Sequence, residues 1–81
     1  MDNEDTMVFD VSSLSEKKVY DTIKEVYSNL KERGYNPVNQ IVGYITSGDL
    51  GYISNYKESR KLISKIDRNT ITEVLLKNFL V

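Results

Sequence analysis

Gly34-Tyr35-Asn36-Pro37-Val38-Asn39-Gln40-Ile41-Val42-Gly43-Tyr44 decides the fold, because it ends one helix and starts another. Gly34 follows Lys31-Glu32-Arg33, and a glycine at that point is a standard helix stop. Asn36-Pro37 then supplies an N-cap residue followed by proline at the first helical position. Val38, Ile41, Val42 and Ile45 follow as an apolar helical face that Ser47-Gly48 closes. Residues 41–46 also have high β propensity, so a strand is the competing reading. The helix signals on both flanks, and the lack of a partner strand, favour the helix.

Upstream, Ser13-Leu14-Ser15-Glu16 has the spacing of a capping box. Val19, Tyr20, Ile23, Val26, Tyr27 and Leu30 recur behind it at helical spacing, which predicts a first helix from Ser13 to Gly34. Downstream, Asp49 is placed to cap a short turn over Leu50 to Ile53. A third helix is expected from Ser54 or Asn55 to Ile66, with Tyr56, Leu62, Ile63 and Ile66 inward. Asp67 then caps a fourth, Arg68 to about Leu80. The expected architecture is all-α: a compact small bundle of about four helices plus a short turn.

Residues 1–12 read differently. They carry Asp2, Glu4, Asp5 and Asp10 with no base, a charge of −4, against +3 for residues 13–81. Such a stretch is expected to be a flexible acidic tail on a single helical domain, residues 13–81. Val8, Phe9 and Val11 are the exception and could dock onto the body as a short extended piece. The acidic N-terminus lacks the basic start and apolar run of a secretory signal, and no segment approaches the ~18 apolar residues of a membrane span. A cytoplasmic location, with no membrane contact, is the expectation.

With no cysteine and no histidine, the chain lacks disulfides, thiolate or imidazole metal sites, and every nucleophile–histidine arrangement. Its carboxylates show no acid/base spacing. No cofactor, no metal and no enzymatic activity are expected. An 81-residue chain without these aids gains most from a second subunit. Ile71, Val74, Leu75, Leu76, Phe79 and Leu80 cover an arc of roughly 240° on the fourth helix, at 100° per residue, and are the expected homodimer interface.

Three further features invite a functional reading. Lys57, Lys61, Lys65 and Arg68, with Arg60 beside them, line one face of the expected third helix and could meet phosphate or a partner. A helix-turn-helix nucleic-acid binder using that helix is the alternative function, and a net charge of −1 argues against it. Gly48-Asp49-Leu50-Gly51 has the spacing of a nucleic-acid clamp, but the Asp within it marks a plain turn. Thr6, in the acidic arm, is expected to have the exposure a kinase needs, with Ser12, Ser13 and Ser15 as competing acceptors.

The block Gly34 to Tyr44, followed by Ser47-Gly48-Asp49 and Tyr52-Ile53, resembles the signature of the IreB-family regulatory phosphoproteins. The similarity runs from about Thr6 to Leu80. It implies a helical homodimer whose flexible tail carries phosphoacceptor threonines. It also implies a negative regulatory role in cell-envelope signalling, under PASTA-type Ser/Thr kinases and a PP2C-type phosphatase. Thr6, three residues before Phe9, matches the family acceptor nearer the body; Asn3 stands where members can carry another threonine. Leu50-Gly51 departs from the Pro-Ala usual after Ser-Gly-Asp. The family motif covers Gly34, Tyr35, Asn36, Pro37, Asn39, Gln40, Gly43, Tyr44, Ser47, Gly48 and Asp49, with capping and corner-forming as the structural roles and recognition as the functional one.

Overall fold

The structure, a computed structural model, describes the backbone of residues 2–80 and the side chains of residues 16–80. Four α-helices follow one another: α1 (Asp2–Glu32), α2 (Pro37–Ser47), α3 (Ser59–Ser64) and α4 (Arg68–Leu80). Two 3-10 turns, Leu50–Tyr52 and Tyr56–Glu58, link α2 to α3. Among the described residues there is no strand, and residues 41–46 are helical.

α1 does not begin at the Ser13 capping box; its helical backbone starts at Asp2. Nothing in residues 2–32 is glycine or proline, so no residue interrupts the ladder. A helix of 31 residues is about 46 Å long at 1.5 Å per residue, which accounts for the 48 Å long axis of the molecule. The expected flexible tail places its functional claim on side chains outside the described residues, Thr6 among them.

The core draws on every helix. Val19, Val26 and Leu30 come from α1, Ile41 and Tyr44 from α2, Ile63 from α3, and Ile71 and Val74 from α4. Ile53 and Ile66, from the connections, complete it, with Ile23, Ile45, Leu50 and Leu62 packed around its edge. Two expected faces are rotated. On α1, Tyr20 and Tyr27 lie outside the core. On α2, the inward set is Pro37, Ile41, Tyr44 and Ile45, at i, i+4, i+7 and i+8, so Val38 and Val42 face outward.

The third helix also differs from expectation. Instead of one helix from residue 54 or 55 to 66, the chain makes a 3-10 turn whose last two residues are left-handed, and then the short α3. Lys57 and Glu58 have φ of 55° and 58°. The cause lies in how Tyr56 docks on the end of α1. Its hydroxyl donates to Glu32 at 3.1 Å, and Arg33 lies 5.0 Å from its ring centroid. Its carbonyl accepts from Ser59 Oγ at 2.7 Å. With Tyr56 held there, the backbone turns through two left-handed residues before α3 can start. Asn55 Oδ1 accepts from the Arg60 N–H at 3.2 Å and so serves a free donor of α3's first turn.

Candidate functional site

The motif residues 34–49 form a corner between α1 and α2. Gly34 takes the left-handed conformation (φ 84°), and the N–H of Tyr35 donates to Leu30 O at 3.0 Å, closing α1. Asn36 Oδ1 accepts from the Asn39 N–H at 3.1 Å, so Asn36 is the N-cap that its sequence position predicts. At the other end Gly48 (φ 78°) is left-handed and its N–H donates to Tyr44 O at 2.7 Å. Ser47 Oγ donates to Gly43 O and accepts from the Asp49 N–H. Asp49 Oδ1 accepts from the Gly51 N–H at 2.8 Å, the cap expected for the following turn.

Gln40 and Gly43 tie this corner to the next segment. Gln40 Oε1 accepts from the Ser54 N–H at 2.8 Å, and its Nε2 donates to Ser54 Oγ at 3.2 Å. Gly43 lies under the ring of Tyr52, where an added Cβ would sit 2.5 Å from Cδ1. Around them is an open depression of about 290 Å³, lined by Asn39, Gln40, Val42, Gly43 and Tyr52. Tyr44 is buried, whereas Tyr35 stays 41% exposed.

The five basic residues do not share one helical face, because the helix meant to carry them is broken. Lys57 lies in the kink itself and pairs with Glu32 at 2.9 Å. That hydrogen bond, seconded by the one from Tyr56, holds Glu32 below its ordinary carboxylate pKa, and the same bond raises Lys57. Arg60 Nε donates to Ile53 O at 2.7 Å, and Arg68 to Ile45 O at 2.8 Å; both guanidiniums close off chain carbonyls. Lys65 lies instead beside Lys18, Val19, Ile66, Asp67 and Thr70, around a second depression of about 190 Å³. Lys61 remains on α3, exposed.

On α4, Asp67 Oδ2 accepts from the N–H groups of Asn69 and Thr70, the predicted cap. The expected interface set divides in two. Ile71 and Val74 are buried in the chain's own core and cannot meet a partner. Leu75, Leu76, Phe79 and Leu80 are exposed, Phe79 by 85%. Lys77 reaches across to Glu16 of α1 at 2.7 Å, which raises the lysine's pKa.

Among the contacts that sequence reading missed, one is buried. Asn29 and Ser59 are both buried and meet at 3.4 Å, between α1 and α3. Neither residue carries a local signal, since an asparagine inside a helix and a serine before an apolar run are common on surfaces. Among the described residues, no group of three or more acidic side chains could hold a metal ion. No helix among them is long and apolar enough to cross a membrane.

Fold and corner together define a small all-helical protein whose densest motif is made of caps and clamps. Its chain matches the family model of the IreB regulatory phosphoproteins over residues 4–81, nearly its whole length, and it belongs to that family.

Proposed function

We propose that this protein is a small cytoplasmic regulator, without enzymatic activity, switched by phosphorylation of Thr6 in Ser/Thr-kinase-controlled cell-envelope signalling. The observation that carries the reading is the family match, which begins at residue 4 and so takes in Thr6. The kinase is of the PASTA type, a PP2C-type phosphatase reverses the mark, and the output is negative regulation. A phosphate adds ≈ −1.5 to −2 charge units, taking residues 1–12 from −4 to roughly −6. The switch is electrostatic: the added charge changes how the acidic segment engages basic groups of the body or of a downstream protein.

The working form is a homodimer joined through Leu75, Leu76, Phe79 and Leu80, whose exposure on α4 supports that role. Replacing Thr6 by alanine tests the switch in cells. The variant should fold normally and lose its response to the kinase; a full response would rule Thr6 out. Nucleic-acid binding through the third helix is the weaker reading. α3 spans only six residues, and of the five basic residues in and around it Lys57, Arg60 and Arg68 are engaged by Glu32, Ile53 O and Ile45 O.

A further inference from the structure

A second surface, on α1, pairs aromatic rings with positive charge. Tyr20, Lys24, Tyr27 and Lys31 are separated by four, three and four residues. At 100° per residue they fall within an arc of about 60°, away from the core-facing Val19, Val26 and Leu30. Tyr20 is 51% exposed and Tyr27 39%, and both lysines are exposed. Each lysine holds its Nζ over the ring four residues before it, at 5.3 Å for Lys24 over Tyr20 and 5.9 Å for Lys31 over Tyr27. The same two-residue unit is thus repeated one heptad apart.

The neighbouring acids are engaged elsewhere. Asp21 pairs with Lys17 at 3.1 Å, Glu32 with Lys57, and Glu16 with Lys77. Glu25 lies about 130° round the helix from the middle of the stripe. Among the described residues, no carboxylate pairs with Lys24 or Lys31, whose ammonium groups lie over the tyrosine rings.

We propose that the Tyr20–Lys24–Tyr27–Lys31 stripe is a docking seam for an acidic helix of a partner protein. The four-three-four spacing is that of a coiled-coil seam, so the partner element that can follow it is another helix. Carboxylates one heptad apart on such a helix repeat every ~10.5 Å, the rise between Lys24 and Lys31. Apolar residues between those carboxylates would lie on the two tyrosine rings. A chain of net charge −1 gains no general attraction to a nucleic acid, so the lysines select carboxylates presented at this spacing. The seam needs no phosphate on Thr6 and stands or falls apart from that switch.

The test is a nuclear magnetic resonance titration of the full ¹⁵N-labelled chain with a synthetic three-heptad helical peptide, bearing glutamates one heptad apart and leucines between them. Saturable shifts should appear along the exposed positions of residues 17–31. The Lys24→Glu/Lys31→Glu chain should bind roughly tenfold or more weakly, as should the wild type in high salt. All four side chains are exposed, so helicity should not change; Lys24→Gln/Lys31→Gln gives the same comparison if charge reversal disturbs folding. The proposal is overturned by no saturable shift, by shifts at Val38–Val42 or Leu75–Leu80 instead, or by equal binding of a peptide with lysines for glutamates. Displacement of the peptide by a single-stranded oligonucleotide, or shifts in the stripe on diluting the free protein, would assign it to nucleic acid or to a second copy and equally overturn it.

Discussion

Gln40 grips Ser54 through both halves of its amide, accepting from the backbone N–H at 2.8 Å and donating to the hydroxyl at 3.2 Å. The pair spans fourteen positions of sequence and fixes the turn after α2 against α2 itself. Gln40→Ala leaves a part-buried N–H without its partner, which costs about 1–2 kcal/mol. Urea denaturation should show the midpoint falling with no change in slope. An unchanged midpoint, with regulation lost in cells, would make the corner a recognition surface with Tyr35 as its exposed anchor.

Glu58 makes a sharper test of the kink. At φ 58° a residue with a Cβ costs roughly 1–2 kcal/mol that glycine avoids. Glu58→Gly should therefore stabilise the chain, by up to about 1 kcal/mol after glycine's own entropy cost. In an unbroken third helix the same change would cost about 1 kcal/mol. The sign of the shift in thermal midpoint separates the two.

Glu32 and Lys57 respond to pH in opposite directions. The hydrogen bond from Lys57, and after it that from Tyr56, lowers Glu32 from its ordinary 4.5. Glu32's contribution is thus present above pH 4.5 and lost as pH falls through its lowered value. Lys57 is raised from 10.5 by the same bond, so its share is present below pH 10.5 and lost as pH rises through the raised value. Carboxyl ¹³C titration should place the Glu32 midpoint below 4.5, and Lys57→Met should move it upward. No movement would mean the pair does not form in solution.

The two halves of the α4 face should part company under mutation. Ile71→Ala opens the core and should cost about 2–5 kcal/mol. Leu76→Asp or Phe79→Asp, on exposed positions, should spare the fold and dissociate the proposed dimer. Light scattering at micromolar concentration should give twice the 9.3 kDa chain mass for the wild type and 9.3 kDa for the variants. A wild-type monomer at every accessible concentration would contradict the interface.

Apart from the Ser13 capping box, the caps were legible in the sequence, because each is a local arrangement of a side chain and nearby backbone. Asn36, Gly48, Asp49 and Asp67 all stand where their residue types place them. The break at Lys57–Glu58 was not legible, because it arises from Tyr56 meeting Glu32, twenty-four residues away. Periodicity alone reads Lys57, Lys61 and Lys65 as one stripe; tertiary contact divides them. The same holds for α4, where a broad apolar arc does not say which part the chain's own core will take. Asn29 and Ser59 pair across thirty residues and left no local trace.

Site mapping by mass spectrometry, after incubating the full chain with a PASTA-type Ser/Thr kinase domain, bears most directly on the regulatory switch. Phosphate is predicted on Thr6, with a Thr6→Ala chain left unmodified and as thermally stable as the wild type. Phosphate confined to Ser12, Ser13 or Ser15, with Thr6 untouched, would contradict it.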